Sequence, residues 1–166
     1  MATAMGEYLV GAYLKLVLKC GVVDYNARPP GGGLSGLGEL DVIGFNFTTG
    51  MVYLCEVTTH LDGLLIGKGT DGTLTKIAAK HCRQQNYAAQ YLVDFTPRYV
   101  FWSPVVRSGL VEELKTRIGF DEVFINASYS EAINQLRKQP KSSTADVNNP
   151  FFRVLQILEH LRPDLL

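Results

Sequence analysis

Three carboxylates stand in a stretch that otherwise reads as a β-hairpin: Glu39, Asp41 and Glu56, within GELDVIGFNFTTGMVYLCEVTTH, residues 38–60. Acidic residues are depleted in strands, because a pleated and half-buried surface accommodates a charge poorly. Side chains alternate across a strand. Glu39, Asp41, Ile43, Phe45 and Phe47 therefore share one face, and Val52, Leu54, Glu56 and Thr58 share a face of the next strand. With Thr49-Gly50 as a two-residue turn, Thr48 pairs with Met51, Asp41 lies opposite Thr58 and Glu56 lies opposite Ile43. Asp41 and Glu56 are then diagonal neighbours, roughly 7–8 Å apart at the backbone. A register shifted by one residue puts them on opposite faces, and a shift of two puts them directly opposite. Neighbouring part-buried carboxylates repel, and a shared proton or a bound cation relieves the repulsion. Oxygen donors held this way suit Mg²⁺ or Mn²⁺, with a strand carbonyl such as that of Val57 as a further ligand. The alternative on the same residues is an exposed edge hairpin whose acids face water.

The surrounding sequence supplies the elements that must position these acids. Residues 5–20 have apolar positions at helical spacing, with Gly21 as a stop, and 22–27 read as a short strand. RPPGGGLSGLG (28–38) and LDGLLIGKGTDG (61–72) are Gly-rich loops flanking the hairpin strands 39–47 and 51–59. They are expected to close over a substrate. Residues 73–93 form a long helix capped by Thr73 or Thr75, with Ile77, Ala78, Cys82, Ala89 and Leu92 toward the core. Strands follow at 98–103 and 121–127, and helices at 107–118 and 128–139, the last with a Ser128–Glu131 cap signal. A polar linker, 140–150, leads to a closing amphipathic helix at 151–161. The order predicts one domain over 1–166 of the α/β class, a mixed sheet flanked by helices.

At this point the chain resembles the PD-(D/E)xK nuclease superfamily, with its restriction-endonuclease-like fold. The family pattern is an Asp on one strand, a hairpin, and Glu/Asp-x-Lys on the next strand. Asp41 in GELDVIGF and Glu56-Val57-Thr58 in YLCEVTTH occupy those positions. The family's α-β-β-β-α-β core maps onto residues 5–103, leaving 104–166 as an α/β extension. The resemblance implies Mg²⁺ or Mn²⁺ bound by Asp41, Glu56 and the Val57 carbonyl. Glu7 stands where members carry a glutamate on the first helix; its alternative is an ordinary first-turn acid favoured by the helix dipole. Glu39 is either an accessory ligand or a solvated strand-end acid. Thr58 replaces the family's lysine, keeping a hydroxyl but no charge. A lysine migrated to the following helix would restore it: Lys76, the first choice, Lys80, or Lys68 in the loop before. Lys76, Lys80, Arg83, Gln84 and Tyr87 fall on one helical face. Gln84 and Tyr87 resemble the Gln/Tyr helix motif of RecB-like nucleases, with three-residue rather than four-residue spacing. Lys68, Lys80, Arg83, Gln84 and Tyr87 are the implied substrate contacts.

The implied activity is metal-dependent hydrolysis of nucleic-acid phosphodiesters. The rival reading is a catalytically inactive nuclease-fold binding or assembly module, which the missing lysine at position 58 permits. A third is a structural α/β protein whose hairpin acids are incidental. The bulk properties constrain partners. The chain carries 16 Lys+Arg and 16 Asp+Glu, which argues against unspecific coating of nucleic acid. The charge is nevertheless uneven: residues 67–119 carry eight basic and four acidic residues, against three and six over 1–66. A homodimer or a separate partner would supply targeting. Cys20, Cys55 and Cys82 are far apart and lack metal-ligand spacing, so reduced buried thiols and a cytoplasmic location are expected. No stretch suits a membrane span or signal peptide. His60 lies at the end of the second hairpin strand, and His81 and His160 read as helix residues.

Overall fold

The apolar runs of the hairpin occupy the centre of a five-stranded mixed sheet. The computed structural model describes residues 3–30, 39–63 and 69–161. Strands β1 (Val22–Ala27), β2 (Leu40–Asn46), β3 (Met51–Val57), β4 (Thr96–Ser103) and β5 (Glu122–Ile125) lie in that spatial order. β1, β2 and β3 are antiparallel neighbours, and β4 and β5 continue parallel to β3. β2 and β3 are buried along most of their length because helices cover both faces. Helix α1 (Met5–Leu16) packs on one face with α4 (Ala127–Lys138) and α5 (Pro150–His160). Helix α2 (Gly69–Tyr91) covers the other with α3 (Ser108–Glu113), which continues into a π-helical turn at Leu114–Ile118. Val10, Tyr13, Val42, Cys55 and Trp102 form the core under α1, while Ile77, Phe101, Leu110 and Leu114 form part of the core under α2. No helix among the described residues is long and apolar enough to cross a membrane.

The hairpin turn departs from the expected two residues. The last β2–β3 pair is Asn46↔Met51, so residues 47–50 form a four-residue connection. Asn46 is the cause. Its side-chain oxygen accepts from the backbone N–H groups of Thr48 and Thr49 at 3.0 and 3.1 Å. Its amide donates to the Leu18 carbonyl at 3.0 Å, and Gly50 closes the turn at φ +69°. The register is thereby shifted by two residues from the diagonal arrangement.

Other boundaries moved for comparable local reasons. The first helix ends at Leu16, and Lys19 adopts a left-handed conformation, φ +59°. That turn lets the Gly21 N–H donate to the Phe45 carbonyl, so Gly21 already belongs to the sheet edge. α2 starts four residues early. Thr73 and Thr75 lie inside it, their hydroxyls bonding back to the carbonyls of Gly69 and Asp71. Its core face also differs: Ala78, Cys82 and Ala89 are exposed, whereas Thr73, Leu74, Ile77, His81, Gln84 and Ala88 are buried. Cys20 and Cys55 are buried and Cys82 is not.

The C-terminal portion shares this architecture. Ala132, Leu136 and Phe152 pack into the cores that α1 lines. Residues 140–150 are anchored rather than a loose linker. Buried Asn149 caps α5 by accepting from the Phe152 N–H at 2.9 Å, and donates to the Tyr8 carbonyl at 2.7 Å. The expected Ser128–Glu131 cap of α4 is absent; the Ser128 hydroxyl instead bonds the backbone of Val123 and Ile125.

Candidate metal and phosphodiester site

The acids converge at one end of the sheet, where β1 and β3 end and β2 begins. Val42 pairs with Cys55, so continuing the ladder sets Asp41 directly opposite Glu56. The Val57 N–H donates to Asp41 Oδ2 at 2.8 Å, holding that carboxylate across the hairpin. The contact that the structure gives Val57 is therefore through its N–H rather than through its carbonyl. Lys80 of α2 completes the group: its ammonium contacts Glu56 Oε1 and lies 3.9 Å from Asp41 Oδ2. This is also the carboxyl end of the parallel strands β3 and β4, where open α/β sheets place their ligands.

Gln84 explains why Lys80, and not Lys76, reaches the acids. Buried Gln84 donates from its amide to the Leu54 carbonyl at 3.1 Å, pinning α2 to β3. Four helical residues rise about 6 Å, and two strand residues span roughly 6.6 Å. With Gln84 fixed at Leu54, Lys80 is thus level with Glu56. Lys76 is exposed one turn further out, with no ion pair to a described acid. Gln84, expected as a substrate contact, is spent on the sheet. His81 beside it is buried in an aromatic setting, its ring 5.1 Å from that of Tyr99 and 4.5 Å from that of Phe120.

Glu56 is the most perturbed acid in the group. The residue is only 4% exposed. Burial, and next the charge of Asp41, push its pKa up to about 8, while Lys80 opposes the shift without cancelling it. Glu7 is raised too, first by burial, with Asp41 adding to the effect and Lys80 opposing it. Glu7 Oε2 accepts from the Ala4 N–H at 2.9 Å and from Asn26 Nδ2 at 3.5 Å. Asn26 was not anticipated. It sits where the β1–β2 ladder, paired at Tyr25↔Val42 and Ala27↔Leu40, brings it beside Asp41, and it adopts φ +53°. The sequence signal was an asparagine, a residue tolerant of left-handed backbone, inside a strand.

The remaining expected residues are elsewhere or otherwise engaged. Glu39 pairs with Arg28. Thr58 is buried, its N–H donating to the Trp102 carbonyl at 2.9 Å and its hydroxyl without a partner among the described residues. His60 is exposed. Arg83 is exposed and Tyr87 half-buried, both on the same flank of α2 as Lys80. Lys68, and parts of both Gly-rich loops (31–38 and 64–68), lie outside the described residues. Among the described residues no cluster of three or more His, Cys, Asp or Glu is placed to hold a metal ion. The donor set therefore reduces to two carboxylates, which suits a hard cation that keeps several of its own waters, as Mg²⁺ does. An open cleft of about 420 Å³ lies away from this group, lined by Leu74, Ala78 and Arg117. Set against family models, curated proteins and solved structures, the chain matches none of them.

Proposed function

We propose that this chain hydrolyses phosphodiester bonds of nucleic acid with Mg²⁺ or Mn²⁺ held by Asp41 and Glu56. The observation that carries the reading is the convergence of Asp41, Glu56 and Lys80 at the carboxyl end of β3. Two acids on one hairpin and a lysine make up the chemical set of the PD-(D/E)xK pattern, with the lysine delivered from α2 in place of Thr58. The order α1-β1-β2-β3-α2-β4 accords with the restriction-endonuclease-like core.

When bound, the metal ion supplies a water of lowered pKa and offsets charge that develops on the phosphoryl oxygens. The protein's own groups have separate tasks. Asp41 is oriented by the Val57 N–H, so one of its oxygens is fixed before any ligand arrives. Glu56 gives up the proton that burial favours when a cation offsets its charge. Lys80, about a third exposed, then orients the attacking water and balances negative charge at phosphorus. Glu7 adds negative potential from the start of α1.

One observation favours the inactive binding module instead: the ammonium of Lys80 already compensates the acid pair without any metal. Calorimetric titration of Mn²⁺ into the wild type and an Asp41→Asn/Glu56→Gln double variant separates the two. Binding lost only in the variant, with Mg²⁺-dependent cleavage of labelled DNA or RNA lost in parallel, supports the nuclease. A folded wild type that neither binds Mn²⁺ nor cleaves refutes it and leaves the binding module.

A further inference from the structure

The long helix α2 carries more than Lys80. It spans 23 residues, and its single acid, Asp71, lies in the first turn. Lys76, Lys80, Arg83, Tyr87 and Tyr91 follow at intervals of three or four residues, so they form one stripe along the helix. Fifteen residues at 1.5 Å each make the stripe about 22 Å long. Its cations lie toward the carboxylates and its rings lie away from them.

Two features mark the stripe as available. Of the arginines among the described residues, Arg28, Arg98, Arg117, Arg137 and Arg153 pair with carboxylates, and Arg107 donates to the Asp62 carbonyl. Arg83 alone has no hydrogen bond or ion pair among the described residues, and it sits exposed one turn from Lys80. The rings of Tyr87 and Tyr91 stand 5.0 Å apart, and Tyr91 is 37% exposed. A free guanidinium grips a phosphate in a planar, two-pronged way. Exposed aromatic faces serve unpaired bases, which can stack on them; bases inside a duplex have no free face to offer.

We infer that the α2 stripe is a track for single-stranded nucleic acid. The backbone is gripped at Lys76 and Arg83 on either side of Lys80, and bases stack on Tyr87 and Tyr91. This deepens the nuclease reading and rests on it for the direction of the strand, which leads one phosphate to Asp41 and Glu56. The gripping itself needs no metal.

The test is fluorescence anisotropy in buffer containing EDTA. The probes are a labelled 20-nucleotide single-stranded DNA, the RNA of the same sequence, and a DNA hairpin duplex of equal composition. The proteins are wild type, Arg83→Ala, Tyr91→Ala and Tyr91→Phe, each checked for fold by circular dichroism. Either single strand, DNA or RNA, is expected to bind at least tenfold tighter than the hairpin. Arg83→Ala lowers single-strand affinity and reduces the slope of log affinity against log salt by about 0.7. Tyr91→Ala weakens binding by about thirtyfold, the middle of the range for one stacked base, and Tyr91→Phe retains it. Preference for the hairpin overturns the inference, as does unchanged affinity in Tyr91→Ala. Displacement of the probe by poly-glutamate as readily as by unlabelled single strand overturns it too, since the stripe would then be a general polyanion surface. Single-strand binding by a protein that never cleaves in Mg²⁺ removes the nuclease and keeps the track. Cleavage with Arg83 and Tyr91 both indifferent does the reverse.

Discussion

Replacing Lys80 by Met should make the protein's stability depend on pH in a way that the wild type's does not. Glu56 binds its proton more tightly in the folded chain, with a pKa near 8, than at the ordinary 4.5. Between those values the folded state holds more protons than the unfolded state, so stability falls as pH rises. Each pH unit costs up to about 1.4 kcal/mol, and the whole window up to about 5 kcal/mol. Above pH 8 the wild-type carboxyl ionises beside Lys80 and the decline levels off. In Lys80→Met the ammonium is gone and Glu56 retains its proton to higher pH, so the decline continues. At pH 9.5, one and a half units beyond 8, the gap reaches about 2 kcal/mol. The Lys80 side chain is 31% exposed, so solvent screening reduces the figure to about 1–2 kcal/mol. At pH 6 Glu56 is a neutral acid in both proteins, so its part of the gap vanishes and only the loss of the Lys80–Asp41 pair, common to both pH values, remains. Urea unfolding followed by the fluorescence of the single, fully buried Trp102 measures this directly. A gap of the same size at pH 6 and pH 9.5 would refute the coupling of Lys80 to Glu56.

Three further outcomes follow from the packing around the site. Glu56→Gln removes the buried charge while keeping its shape; thermal melts should show it little changed at pH 4.5 and more stable than wild type at pH 9, by up to about 5 kcal/mol, the whole of the window above. The same variant should lose any Mn²⁺-dependent rise in melting temperature, which is the linked signature of a real site. Gln84→Met leaves the Leu54 carbonyl without its donor; urea unfolding should register a loss of about 2 kcal/mol, and the Lys80-dependent gap at pH 9.5 should shrink as α2 loses its register. Gly11→Ala drives a methyl into the Tyr25 hydroxyl, where α1 meets β1. It should cost about 1–3 kcal/mol in chemical denaturation, and a second change, Tyr25→Phe, should restore part of that.

Much of the architecture was legible along the chain because it rests on local rules. Apolar periodicity, glycine and proline punctuation and the order of the elements suffice for an α/β chain with a mixed sheet. They also suffice to single out Asp41 and Glu56, since a carboxylate in an apolar strand contradicts its surroundings. The turn length was not legible. TTG reads as a tight turn until Asn46 is seen to bond Thr48, Thr49 and Leu18 at once, and the last of these partners is distant in sequence. That one side chain shifts the ladder by two residues and turns a diagonal acid pair into an opposed one. The identity of the lysine was equally a tertiary matter. Helical spacing puts Lys76 and Lys80 on one face and cannot choose between them. The choice comes from the early start of α2 and from Gln84 anchoring it to Leu54, a contact between residues 30 apart. The sequence determined which chemical groups are present and which elements carry them. Only the packing of α2 against β3 decided which of them meet, because a buried hydrogen bond sets the height of a helix on a sheet and the hydrophobic pattern does not.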